Sequence, residues 1–467
     1  MNYRKFLSMN VTTLKWISIL IALSVFIQSC NDSSPTSGIE GEDATLNNTT
    51  ELITEWNALW LELDRSTNGM RPNATARALG YIHLVGYETA VAEMNGYSSN
   101  VGRLNGLDIE LDERASNVNL DLALNTAYAE AMDHFMFSIS RNVRGIISDL
   151  EDEKEDELSE NLTESEIENS QQWGRHVARR VIRYSQTDNQ AEAQIVDQTP
   201  RSYVAPVGEG LWVADVNEVA WFPYWGEVRT FVISANETSS IAPPNSYSTD
   251  TGSDYYAKMM EVNLIATASR EQNNENLWIA EFWSDDIEGL MMSPPGRQFS
   301  IANQLIEQEG LGHEQTLELL LRLGFAMNDA VVSAWDDKYT YNTERPSTYI
   351  WEFVNADFET NLERLVVVPN PSFPSYPSGH ATFAGAAAGV FIDQFGGDNI
   401  NFTDRSHEDR TDFRGAPRTY TSFSQMAEEN SYSRVQLGVH IEADSDEGLR
   451  LGYEIANAVS NFDLSGN

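Results

Sequence analysis

Apolar residues recur at three- and four-residue intervals along most of this chain, the spacing that gathers them on one face of an α-helix. From Glu51 onward, Leu52, Ile53, Trp56, Leu59, Trp60 and Leu63 mark a first helix. Asn73 offers a cap to a second, over about 74–94, in which Leu79, Ile82, Val85 and Val91 keep the period. One long helix is expected over about 120–150, with the acidic run EDEKEDE at 151–157 continuing into a solvated connector. Trp173, Val177, Val181 and Ile182 line one side of a helix over about 166–184. Residues 187–250 lose the rhythm to Pro, Gly, Ser and aromatics, among them Trp212, Trp221, Pro223, Trp225, Pro243 and Pro244. That composition predicts a long irregular segment wrapped over a helical body, its aromatics serving packing. Helices resume over about 255–269, 278–283, 301–309 and 313–338; the best strand signal is the short run Val366, Val367 and Val368. The pattern predicts an all-α fold: a single helical-bundle domain with long irregular loops over 51–467, its chemistry-bearing core at 313–460.

Composition narrows the class. Hydrophobic residues make up 41% and aromatics 10% of 467 residues, enough for a large core. A formal net charge of −41 excludes nucleic acid as a partner, since phosphate backbones require basic surfaces. The acid is read as a hydrated, soluble surface.

The N-terminus reads as an export signal. Arg4, Lys5 and Lys15 precede an apolar run from Trp16 to Ile27, shorter than the roughly 20 residues a membrane span needs. Cys30, the sole cysteine, follows Ile27, Gln28 and Ser29 in a context resembling a bacterial lipobox, and with one cysteine no intrachain disulfide forms. Residues 1–29 are thus expected to be a signal peptide, and 30–50 a lipidated Cys with a flexible polar tether. The product would be an exported periplasmic or cell-surface lipoprotein, touching the membrane only through that anchor.

Three stretches carry candidate chemistry. PSGHATFAGAAAGVF at 377–391 opens a helix of tiny residues whose start presents Ser378, the Gly379 N–H and His380, a place suited to an oxyanion. Lys338 and Arg345 stand seven residues apart, and Pro346 disfavours helix at Arg345, placing it at a helix end or in a loop. Such a pair suits a multiply charged oxyanion, Arg through its fork and Lys as a point charge. Ser433, Arg434, Gly438, His440 and Asp444 follow; four residues apart on a helix, the Asp444 carboxylate can fix the His440 tautomer and leave its other nitrogen free. Singly, each is ordinary surface charge or capping.

Together, in order, they read Lys-x6-Arg-Pro, Pro-Ser-Gly-His and Ser-Arg-x5-His-x3-Asp. This resembles the signature shared by the type-2 phosphatidic acid phosphatase superfamily and the vanadium-dependent haloperoxidases. Looser likeness to the bacterial haloperoxidase branch extends to RALGYIHLVGYETA at 77–90, WFPYWGEVRTF at 221–231 and IAEFWSDD at 279–286. The resemblance implies that Lys338, Arg345, Ser378, the Gly379 N–H and Arg434 hold the oxygens of vanadate. It implies that His440 ligates vanadium with Asp444 behind it, and that His380 handles protons. Lys338 would draw charge from bound hydrogen peroxide, and a halide would attack to give hypohalous acid. Trp335 and Phe373 resemble residues on the halide side of such pockets, where algal bromoperoxidases carry His at the Phe373 position.

The same cradle can hold phosphate. In an acid phosphatase of this superfamily His440 would form a phosphohistidine and His380 would protonate the leaving alcohol. The lead-in PNPSFPSYPSGHA, Trp335 and Phe373 favour oxidation of iodide or bromide by hydrogen peroxide. A non-enzymatic alternative, glycan capture by the Trp-rich segment, must treat the ordered motifs as degenerate. His83, His134, His176, His313 and His407 read as core, cap or surface residues, and Asp285 or Asp286 as a brace for an anion-binding Arg or ordinary packing.

Overall fold

The computed structural model describes residues 46–66, 70, 72–214, 219–239, 241–285, 287–366, 370–408, 410–411 and 413–465. The expected signal peptide, lipidated Cys30 and most of the tether lie outside the described residues, as do Val367, Val368 and Asp286.

The helices follow in order: α1 (Asn48–Asp64), α2 (Asn73–Ala90), α3 (Leu120–Phe135), α4 (Arg141–Leu158), α5 (Glu164–Gln186), α6 (Asn189–Val196) and α7 (Asp254–Gln272). Then come α8 (Glu275–Phe282), α9 (Pro294–Glu309), α10 (His313–Tyr341), α11 (Pro346–Phe353), α12 (Gly379–Gln394), α13 (Phe423–Leu437) and α14 (Glu442–Ser460). One antiparallel pair, β1 (Phe402–Asp404) and β2 (Arg418–Tyr420), is set in register Phe402 to Tyr420. The fold is all-α, as the periodicity predicts.

Burial explains the arrangement. α2 is enclosed along its whole length, α10 from Leu319 to Trp335, and α12 from Gly379 to Ala388. Helices apolar on every side cannot face water, so the others wrap them. Small residues let them touch. A methyl group at Gly324 would lie 2.9 Å from the Gly80 Cα, so α2 and α10 cross with backbones nearly in contact. A Cβ at Gly385 or Gly448 would meet, at 2.5 Å, the carbonyl of Leu449 or Ser378, which locks α14 onto α12.

Several expectations need correction. The helix expected over 120–150 is two helices, because the chain breaks after Phe135 and Ser140 caps α4. The acidic run at 151–157 is not a connector but the second half of α4. The run remains largely solvated, as expected, and is tethered at two points: the Glu151 carbonyl accepts from Asn125 and Lys154 pairs with Glu55 at 2.7 Å. Asn73 is the first residue of α2 rather than its cap. Val366 lies in a bend, and the strands form instead at 402–404 and 418–420.

The irregular segment is interrupted by α6 and a single 3₁₀ turn at Trp225–Glu227. One buried side chain holds three consecutive residues of it. Asp329, buried in α10, accepts from the backbone N–H groups of Phe231, Val232 and Ile233 at 2.8–3.0 Å. Asp329→Ala would leave three donors buried without their acceptor, so a loss of about 3 kcal/mol or more is expected in urea unfolding. A loss under about 1 kcal/mol would show the segment is held elsewhere.

Candidate active site

The site lies where five helix ends meet. Lys338 sits in the last turn of α10, and Arg434 in the last turn of α13. Asn342 ends α10 in a left-handed turn, and the chain reaches Arg345 as the residue capping α11, with Pro346 at the first helical position. Ser378 caps α12 through its side chain. Gly438, at φ 89°, stops α13 and turns the chain so that His440 arrives just ahead of α14. His440 is therefore not helical, as its spacing from Asp444 suggested, yet the pair still meets.

Each cation is buried and held by neutral oxygens. The Lys338 ammonium donates to the carbonyls of Pro374, Ser375 and Pro377 at 3.1, 2.9 and 2.5 Å. Arg345 donates through Nε to the Phe373 carbonyl at 3.0 Å, and through Nη1 to the Val439 carbonyl at 3.0 Å and His440 Nε2 at 3.1 Å. Arg434 donates to the Trp283 carbonyl at 3.3 Å. Backbone acceptors fix where these charges point without neutralising them.

His440 Nδ1 lies 2.9 Å from Asp444 Oδ2, which also accepts from the Ser375 hydroxyl at 2.5 Å. The carboxylate places the proton on Nδ1, so Nε2 turns its lone pair toward the cations. Burial, reinforced by Arg345, Lys338, Arg434 and His380, holds the His440 imidazole well below its ordinary pKa, so the ring is neutral. All four positive or potentially positive groups thus act on one ring. Burial pushes the Asp444 carboxyl up to about 6, against the opposing hydrogen bond from Ser375 and the field of Lys338 and Arg345.

His380 sits at the first turn of α12. Trp335 and Phe373 pack with ring centroids 4.8 Å apart, and Lys338 Nζ lies 5.7 and 5.3 Å from those rings. A Cβ on Gly379 would come within 3.3 Å of Trp335 and 3.9 Å of Lys338 Cε, so only glycine brings that N–H so near the ammonium. The residues singled out in the sequence therefore surround one another, Trp335 and Phe373 making the apolar wall.

Asp285 lies 3.4 Å from Arg297, which also binds Asp404 at 2.7 Å and contacts His407; the other expected brace, Asp286, lies outside the described residues. Arg297 stacks against Phe282 and Trp283 at 4.4 and 4.7 Å, so the cluster supports the carbonyl that Arg434 uses. Ser375 was also missed; its position two residues before Pro377 in a Ser- and Pro-rich run gave no signal of its own.

A buried cationic cradle around a neutral imidazole, inside an all-helical body, defines an oxyanion-binding enzyme class. Residues 318–465 match the family described as the VCPO second helical-bundle domain. The vanadium-dependent bromoperoxidase of Ascophyllum nodosum is 34% identical over 117 residues; the match spans 22% of this chain and about a fifth of that relative, 21%. The crystal structure of the first bacterial vanadium-dependent iodoperoxidase superposes with a TM-score of 0.77 at 25% identity, covering 91% of this chain and 100% of that one. A holo-type bacterial vanadium-dependent chloroperoxidase shares the fold, with a TM-score of 0.64 at 14% identity over 90% of this chain and 98% of that one. By sequence in its C-terminal third, and by fold over nine-tenths of its length, the chain is thus similar to vanadium-dependent haloperoxidases.

Ser375→Ala removes one hydrogen bond to Asp444 and loosens the His440 tautomer. Orthovanadate affinity, measured by equilibrium dialysis, is expected to fall about tenfold with little change in melting temperature. The pH dependence has a defined sign. An acid held above its unfolded value contributes stability that is fully present below about pH 4. That contribution is lost as pH rises through about 6. Urea titrations from pH 4 to 7 are expected to show wild type losing stability relative to Asp444→Asn across this window.

Proposed function

We propose that this chain is a vanadate-dependent haloperoxidase that oxidises iodide or bromide with hydrogen peroxide to hypohalous acid. The observation that carries the reading is the neutral Nε2 of His440 facing three buried cations. The donor set fits vanadate: two guanidinium forks, an ammonium, a hydroxyl and a helix-start N–H for oxygens, and one imidazole lone pair for the metal.

Vanadate, when bound, supplies the Lewis acidity that activates hydrogen peroxide. The protein supplies the rest. Lys338, Arg345, Ser378, the Gly379 N–H and Arg434 hold the oxygens and spread their negative charge. His440 offers Nε2 as the one protein ligand, its orientation set by Asp444 and Ser375. Forming hypohalous acid and water from halide and peroxide consumes one proton, and the His380 imidazole at the start of α12 would supply it. Lys338 would place its positive charge beside the bound oxygens, and Trp335 with Phe373 would exclude water from that side.

Phosphate fits the same cradle by charge and shape, so it is expected to compete for it. No helix among the described residues is long and apolar enough to cross a membrane. Export as a lipoprotein through Cys30 is part of the proposal, supported by the basic and apolar pattern preceding that cysteine.

The test is reconstitution of the purified protein with orthovanadate, followed by triiodide formation with peroxide. Activity is expected to require vanadate, to be suppressed by phosphate, and to fall at least about a thousandfold in His440→Ala. Hydrolysis of p-nitrophenyl phosphate without halide oxidation would overturn the assignment in favour of a phosphatase.

A further inference from the structure

Beside the dyad lies a second cavity, of about 200 Å³, that the chemistry above does not use. Ser375 and Asp444 form part of its wall, so it approaches within one hydrogen bond of His440. The rest is built from α7, the end of α10, the turn before α11 and the irregular segment near 243–247. Two edge-to-face tyrosine pairs frame it. Tyr247 and Tyr255 lie 5.5 Å apart between centroids, and Tyr341 and Tyr376 lie 5.6 Å apart. Between them stands Glu344, only 8% exposed, accepting a 2.7 Å hydrogen bond from the Tyr255 hydroxyl.

The lining contains carboxylates but, among the described residues, no lysine, arginine or histidine. Nor does Glu344 form an ion pair among the described residues. Its charge neighbour is another acid, Glu352, and burial with that repulsion pushes its carboxyl up to about 7. A carboxylate buried without a counter-charge is costly, and a bound cation relieves the cost. The walls say which kind. The lining acids are Glu209, Glu344 and Asp444; Asp444 is engaged by His440 and Ser375, and tyrosine rings with the side chain of Met259 make up much of the remaining wall around Glu344. Aromatic faces and one acid are the surroundings that suit a bulky, weakly hydrated cation.

We propose that this cavity binds a small organic cation of the alkylammonium class, seated among the tyrosines with its charge on Glu344. The volume admits a compact head group rather than a drug-sized ligand. The site is separate from the oxyanion cradle, and its occupancy does not depend on halide oxidation.

The experiment is calorimetric titration of the vanadate-reconstituted full chain with choline and with its neutral isostere 3,3-dimethylbutan-1-ol, without peroxide or halide. Choline is expected to bind saturably, and the neutral alcohol at least about tenfold more weakly. Glu344→Gln and Tyr247→Ala are each expected to weaken choline about tenfold while leaving the alcohol nearly unchanged. Equal affinity for the two compounds would overturn the proposal, leaving an apolar cavity only. So would choline binding that both variants retain, or no saturable binding up to about 10 mM. If Glu344→Gln fails to fold, Tyr247→Ala decides alone. Because binding heat is read without turnover, failure here and failure of the oxidation assay are told apart.

Discussion

Like charges resist being brought together in a dry interior, and this protein is organised around holding three of them there. Lys338, Arg345 and Arg434 act on the same imidazole, and each donates to main-chain carbonyls that fix its direction. Carbonyl dipoles give these side chains orientation while adding no formal negative charge of their own. That constraint explains why the surrounding chain is so thoroughly enclosed: α2, α10 and α12 form a rigid centre from which the loop carbonyls at 373–377 and 439 cannot drift.

The acid beside the imidazole acts indirectly. Asp444 touches His440 on the side away from the cations, and Ser375 shares its oxygen. Its role is to decide which ring nitrogen carries the proton, a decision that in turn settles whether the cradle sees a lone pair or an N–H. The Arg297 cluster does for Arg434 what Asp444 does for His440, one step further out: it fixes Phe282 and Trp283, and through the Trp283 carbonyl the guanidinium.

Much of this was legible in the residue pattern because it was written in side chains. The helical period gave α1, α5 and α10 with modest errors at the ends, and Lys338, Arg345, His380, Arg434 and His440 stood out by chemistry and order. What escaped was written elsewhere. The carbonyls of Pro374, Ser375, Pro377 and Trp283 belong to no residue type, so no reading of letters marks them as the partners of the cations. Charge hid α4: Ile147 is its one fully buried residue, too few for the period to show, and the helix is held by Asn125 and Lys154 contacts that need the tertiary fold. Ser375 and Glu344 look like any serine and glutamate until the chain brings them beside Asp444 and Tyr255.

The direction of the helices at the site has a further meaning. α10 and α13 deliver their cations from C-terminal turns, where the peptide dipoles present partial negative charge, while α12 begins there and presents partial positive charge. The scaffold thus carries its own compensation for Lys338 and Arg434, independent of any guest.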